Sequence, residues 1–492
     1  MDILQIIITN NNLIHIFKDT MDIRKKTSVH IGLFGHIDSG KTAIAEVLSQ
    51  IVSTAGIDAH PQSKERGITI DLGFTSFILE DYLITLVDGP GHADLIKISA
   101  ASVEIIDCAL IVIDINKGPQ VQTGEHLIMI EALNIKKILV ILNKIDLFKG
   151  DIGREINKTK NFFASTSFGD KVKIYPVSAK KREGFEALKV GILKAIKSLD
   201  IIREENGDTI IPIDHHFSVK GLGAIITGTV LQGKVKINQT LKILPINLNG
   251  KVKNIQIFHQ NVDEASAGDR TGINIKNIEV NKVYRGCYAT SNEEAFDFCN
   301  IVDIIVKKHD LFRPETNFGT QVHITLGMST VVGNMYPYEL VDDKRIQSRV
   351  LSKQKQFRAI LWFNEKVLLK KKKNLMLLSR LDLPPTTLRI MGSAQLLGIH
   401  ETPPVFYKYK IKKGKITNPN HSQGIVCTGL TQSVKGARKV VGKELEAPFT
   451  KILDTFGTKG AVVVGLSDEK AEVGKGDPVL LKELRSFQLK KI

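Results

Sequence analysis

Gly35-His36-Ile37-Asp38-Ser39-Gly40-Lys41-Thr42 is the stretch on which the fold of this 492-residue chain turns. It matches G-x-x-x-x-G-K-[ST], follows an apolar strand ending at Phe34 and opens a helix near Thr42. In that context the backbone N–H groups of Ile37, Asp38, Ser39 and Gly40 wrap the α- and β-phosphates of a nucleotide. Lys41 reaches the β- and γ-oxygens, and the Thr42 hydroxyl is placed to bind Mg²⁺.

Working outward, short apolar strands alternate with amphipathic helices from Ser28 to about Asp200: His30 to Phe34, Leu83 to Val87, Ala109 to Ile113, Ile138 to Leu142 and Ile174 to Val177. That alternation predicts an α/β domain with a mostly parallel sheet and helices on both faces. Three further motifs fall at strand ends, where open α/β sheets bind ligands. Asp88-Gly89-Pro90-Gly91-His92 offers a carboxylate that holds Mg²⁺ through water and, at Gly91, a backbone free to approach a terminal phosphate. Asn143-Lys144-Ile145-Asp146 offers a carboxylate that accepts from the ring N–H and the exocyclic amine of guanine, a pair that adenine lacks. Ser178-Ala179-Lys180 is placed to meet the guanine carbonyl through backbone N–H. Four motifs in this order predict a GTP- and GDP-binding domain.

Glu65 to Ile70 reads ERGITI and Asp88 to His92 reads DGPGH, so with Gly35 to Thr42 the chain resembles the translational GTPases. The resemblance implies that Thr69 closes over Mg²⁺ and the γ-phosphate, and that His92 orients the attacking water once the ribosome engages. Ser39 stands where many members carry His, and Gly89 where Ala is usual; neither change removes a phosphate or metal ligand. Slow intrinsic hydrolysis accelerated by the ribosome is therefore expected.

After a polar linker at Asp200 to Asp208, short strands between Gly and Asn turns predict β-barrels, three in number. Gly221 to Gly233 resembles the first barrel of elongation factor Tu and its relatives. Asp214-His215, Ala267 to Arg270 and Arg380 to Ile390 (RLDLPPTTLRI) resemble selenocysteine-specific elongation factors of the archaeal type over nearly the whole chain from about Met21. That resemblance implies a selenocysteyl pocket at Asp214, His215 and Arg270, a selenocysteyl-tRNA partner and the ribosome. Physically, a selenol reaches neutral pH as an anion, which a guanidinium and an imidazolium held by a carboxylate favour over a neutral serine. The expected domains are an extension at 1–28, a GTP-binding domain at 29–203, and barrels at 208–300, 301–395 and 396–492.

Lys and Arg number 68 against 52 Asp and Glu, a net charge of +16, of which +8 lies in Glu401 to Ile492 (17 basic, 9 acidic). A basic last barrel points to an RNA partner, either a tRNA arm, ribosomal RNA or the mRNA selenocysteine-insertion element, read directly or through an adaptor. Tyr407 and Tyr409 alternating with Lys408 and Lys410 read either as an RNA-stacking face or as an edge strand with outward lysines. Lys370 to Lys373 reads as a solvated loop or an RNA contact.

The four cysteines are far apart with no Cys-x-x-Cys pair, which disfavours a disulfide framework and a zinc ribbon. No apolar run approaches the ~18–20 residues of a membrane span. A cytoplasmic monomer is expected, with Met21 the start or residues 1–20 a dispensable extension. The alternative is a GTPase like the γ subunit of initiation factor 2, binding initiator methionyl-tRNA; its usual cysteine-rich zinc insertion is missing here. A non-hydrolysing GTP-dependent scaffold is a third reading, opposed by Thr69 and His92.

Overall fold

The computed structural model describes residues 25–49, 51–52, 72–89, 103–132, 134–169, 171–219, 223–348, 354–372, 375–468 and 472–490. Thr69, Gly91 and His92, and the Met21 start, lie outside the described residues. The chain forms two compact units, residues 1–335 with 351–399, and residues 336–350 with 400–492.

The first unit begins with β1 (Thr27–Phe34), α1 (Lys41–Leu48), β2 (Ile51–Val52), β3 (Gly73–Leu79), β4 (Tyr82–Asp88), β5 (Cys108–Asp114), α2 (Val121–Ala132), β6 (Ile138–Asn143), α3 (Ile152–Ala164), β7 (Lys173–Pro176) and α4 (Phe185–Lys197). The sheet order is β2-β3-β4-β1-β5-β6-β7. The five strands from β4 to β7 in that order run parallel, while β3 lies antiparallel to β4 and β2 to β3.

Strand β5 shows why the apolar runs are continuous. Cys108, Leu110 and Val112 join a core with Ile44 of α1 and Leu188 and Ile192 of α4, whereas Ala109, Ile111 and Ile113 join one with Leu127 of α2 and Phe163 of α3. Both faces are covered, so every position is apolar or small. α3 starts at Asp151, whose carboxylate accepts from the Gly153 and Arg154 N–H groups. Strand order reverses beside β1, between β4 and β5, and the phosphate loop leaves β1 at that crevice.

Downstream come β-barrel domains. In the first, Gly223–Thr229 pairs antiparallel with Arg270–Lys276 and His215–Val219 around a core that includes Ile226, Leu241, Val252 and Ile273. In the second, Phe296–Lys308 lies between Gln356–Lys370 and Ile390–Ile399 over Val302, Ile304, Leu361 and Met376.

The segment expected as a polar linker is anchored. The Arg203 guanidinium donates to Asp107 at 2.6 and 2.9 Å and to the Ser28 carbonyl at 2.9 Å. Beside it, Ser28 donates to Asp269 at 2.8 Å, and buried His30 places Nε2 2.7 Å from the Gly268 carbonyl. In the lysine run, Lys370 is partly buried and pairs with Glu104, which receives the Tyr288 hydroxyl at 3.4 Å, while Lys371, 3.7 Å from Asp297, and Lys372 are exposed.

Burial pushes the His30 imidazole down to about 4, so it is neutral in the fold and protonates below ~6.5 when unfolded. The unfolded state thus binds the extra proton, and stability falls as pH drops from about 6.5 toward 4. Between pH 7.5 and 5.5 this histidine should cost about 1.4 kcal/mol. Denaturant unfolding of wild type and His30→Asn at both pH values tests it: wild type should lose more, and equal losses would reject the assignment.

In the second unit, the hairpin strand Lys344–Gln347 pairs parallel with the start of Val405–His421, and Tyr338, Phe406 and Phe487 stack in sequence. A separate core contains Ile416, Ile452, Val464 and Leu481. Tyr409 and Ile411 pair with Leu484 and Lys482 and stand half exposed. The charge here gathers round one carboxylate: Lys412, Lys443 and Arg485 all reach Glu483 within 3.1 Å.

Candidate functional site

The phosphate loop is held open by backbone that only glycine accommodates. Gly35 has φ 150°, and a Cβ there would lie 2.2 Å from the Val112 carbonyl oxygen; at Gly40, φ is 89° and a Cβ would lie 2.2 Å from Asn143 Nδ2. Asp38 also takes a positive φ of 59°. Lys41 is buried and threads its ammonium back to the Gly35 and His36 carbonyls at 3.1 and 3.2 Å, centring a positive charge in the loop. The Thr42 hydroxyl donates to Asp88 Oδ2 at 2.9 Å. Register brings Asp88 beside Leu33 of β1 and Gly73 of β3, so the two oxygens meet at the mouth of the loop.

The guanine motifs interlock. Asn143 donates from Nδ2 to the Ser39 carbonyl at 3.0 Å and accepts from Ala179 N–H at 3.2 Å. Its side chain therefore ties the phosphate loop to the Ser178-Ala179-Lys180 loop. Asp146 Oδ1 accepts from the buried Ser178 hydroxyl at 2.7 Å, and that hydroxyl accepts from Lys181 N–H at 3.1 Å. Lys144, at φ 68°, bridges to Asp114 at 2.9 Å, while Lys180 is exposed. The structure thus brings Ser39, Asn143, Asp146, Ser178 and Ala179 into one network. Ile37 lies partly exposed on the loop.

The second cluster joins the α/β domain to the first barrel. Asp214, fully buried, accepts from Arg270 at 2.5 and 3.1 Å and from Thr227 at 2.6 Å, with His215 Nδ1 at 2.9 Å. Burial alone would raise its pKa; the Arg270 guanidinium, and then His215, hold it well below the usual carboxylate range. Phe74 of β3 roofs the cluster, its ring centroid 3.2 Å from the guanidinium carbon and 6.1 Å, edge-on, from His215. A cavity of about 40 Å³ beside Arg270 is lined by Thr227, Gln256, Phe258 and His259.

Three contributors escape the motif reading. Phe74 sits within an apolar strand pattern and looks like core. Gln122 and His126, on α2, touch the phosphate loop: Gln122 Oε1 pairs with His36 Nδ1, and Gly35 N–H donates to His126 Nδ1 at 3.1 Å. Their available signal was polar residues inside a buried helix.

A nucleotide seat of this build with β-barrels strung behind it is that of a translational GTPase, binding GTP and GDP. Residues 26–202 match the family described as Elongation factor Tu GTP binding domain, residues 223–290 Elongation factor Tu domain 2, and residues 299–400 Archaeal selenocysteine-specific elongation factor, domain III. The chain is 39% identical over 473 residues to the selenocysteine-specific elongation factor of Methanocaldococcus jannaschii, covering 94% of this chain and 98% of that one. It is 36% identical over 335 residues to the selenocysteine-specific elongation factor of Mus musculus, 63% of this chain and 56% of that one. Among solved structures, translation elongation factor SelB from Methanococcus maripaludis with the GTP analogue GppNHp is similar at TM-score 0.78 and 35% identity, covering 94% of this chain and 99% of that one. The chain belongs to the archaeal selenocysteine-specific elongation factors.

Proposed function

We propose that this factor, with GTP bound, carries selenocysteyl-tRNA to the ribosome at recoded UGA codons and hydrolyses GTP there. The observation that supports this most is the Asp214–His215–Arg270 cluster roofed by Phe74, a residue of strand β3 in the nucleotide domain. Residues 29–203 bind the nucleotide, 208–300 hold the aminoacyl end, 301–395 form the next barrel, and 396–492 contact RNA. The mRNA insertion element is read there directly or through an adaptor, and the factor acts as a cytoplasmic monomer. Among the described residues, no helix is long and apolar enough to cross a membrane.

Thr42 and Asp88 offer converging hard oxygen donors, the set that suits Mg²⁺, and Thr69 would add a third, as the resemblance to translational GTPases implies. When bound, the ion neutralises charge on the β- and γ-phosphates. Lys41 and the N–H groups of Ile37 to Gly40 hold the phosphates, Gly91 closes on the terminal one, and His92 orients water. Asp146 reads guanine, with Asn143, Lys144, Ser178, Ala179 and Lys180 shaping its seat.

The test compares selenocysteyl-, seryl- and initiator methionyl-tRNA binding to the purified factor with GTP analogue and with GDP. Selenocysteyl-tRNA should bind about a hundredfold tighter than seryl-tRNA in the GTP form. Tightest binding of initiator tRNA would replace this function with that of an initiation GTPase.

A further inference from the structure

The segment Arg380 to Ile390 has no part in the nucleotide or aminoacyl sites, yet it is folded with care. Arg380 is gripped by Asp382 at 2.8 and 2.7 Å, Arg380 N–H donates to the Arg389 carbonyl at 2.8 Å, and Thr387 N–H closes a turn onto Pro384 at 3.0 Å. The turn delivers Leu388 and Arg389 to α2. Leu388 packs so near Gly124 that a Cβ there would come within 3.1 Å of it.

Arg389, 3% exposed, meets Glu125, 0% exposed, through three contacts: Nε at 3.0 Å, a terminal nitrogen at 3.2 Å, and its own backbone N–H at 3.1 Å. One turn of the same helix carries Gln122 and His126, which hold His36 and Gly35 of the phosphate loop. Residues spaced i, i+3 and i+4 lie side by side on one face of a helix. Burial, with Lys41 and His36 nearby, pushes the His126 imidazole down to about 3, so it stays neutral and its Nδ1 accepts from Gly35. A contiguous set of contacts therefore runs from the loop through α2 to the strand Ile390–Ile399.

We propose that Arg389 is a positioning residue for the phosphate loop: by holding Glu125 it fixes the turn of α2 that orients Gly35 and His36, so the second barrel sets how tightly nucleotide is held. The inference rests on reading Gly35 to Thr42 as the phosphate loop. A buried carboxylate stripped of its partner loses the contacts that fix it, which frees the helix segment on which Gln122 and His126 sit to shift. Sub-ångström displacement there re-aims the N–H groups that face the phosphates.

The experiment measures release of a fluorescent GDP from the full-length factor carrying Arg389→Met, Arg389→Lys, the double change Glu125→Leu with Arg389→Met, Gln122→Ala, Arg389→Met with Gln122→Ala, and Lys41→Ala. Arg389→Met should speed release roughly tenfold, within the range of coupled sites, with Arg389→Lys in between. The double apolar variant removes both buried charges and with them the hydrogen bonds that fix the turn, so it should also release GDP faster, without an unpaired carboxylate to destabilise the fold. Gln122→Ala combined with Arg389→Met should accelerate release by less than the product of the singles. Wild-type release rates in both Arg389→Met and the double apolar variant, or strict additivity with Gln122→Ala, would overturn the proposal. Nucleotide binding surviving Lys41→Ala would instead overturn the phosphate-loop reading beneath it.

Discussion

Asp146→Asn should lower affinity for GTP by about a thousandfold and raise that for xanthosine triphosphate. In the proposed seat the carboxylate accepts two hydrogen bonds from guanine, and an amide in its place turns one acceptor into a donor facing a donor. Xanthine carries a carbonyl where guanine has its amine, so it restores the pair. The effect should be large because the seat is rigid: Ser178 donates to Asp146 at 2.7 Å, and Asn143 locks both neighbouring loops. Asp146 is only partly buried, and an amide in its place still offers an oxygen to accept from Ser178. Competition binding with both nucleotides reads the switch; GTP affinity retained within threefold would remove Asp146 from the guanine site.

Arg270→Ala should have two separable effects. Asp214 is fully buried, and losing its bidentate partner leaves a carboxylate that only His215 and Thr227 satisfy, a change that costs about 3–5 kcal/mol of stability. Thermal unfolding should register this loss. Phe74 also loses the cation that packs on its ring.

The second effect is on recognition. In the proposed pocket Asp214 already neutralises the Arg270 guanidinium, so the preference for a selenolate depends on how the pair and His215 are arranged together. Selenocysteyl-tRNA binding should fall far more than seryl-tRNA binding, about a hundredfold against a few-fold. The double change Asp214→Asn with Arg270→Met should recover part of the stability without the preference. Equal loss for both tRNAs would refute selection by charge.

Much of the nucleotide site was legible in the chain itself. Gly35, Gly40, Lys41 and Thr42 occur at a spacing that phosphate geometry demands, and the strands before Asp88, Asn143 and Ser178 were readable from apolar runs. Boundaries shifted by only a few residues, as with β1 starting at Thr27. Asn143 was read as part of the nucleotide-binding motif; that its amide ties Ser39 to Ala179 was not legible in the motif. The anchoring of the polar linker at Arg203 was not legible, because its partners Asp107 and Ser28 lie far away in sequence.

Periodicity and motif spacing are local properties, set by helix and strand geometry and by what one ligand requires of one loop. They determined from sequence alone that this chain has a GTP-binding α/β domain followed by β-barrels, and they single out the short segments proposed to meet the nucleotide. Ion pairing and roofing depend on position in space. Arg389 meets Glu125 across 264 residues, and Phe74 covers Arg270 from another domain. Which buried charge neutralises which was decided only by tertiary structure, because a buried ion is tolerated solely where packing delivers its counter-ion.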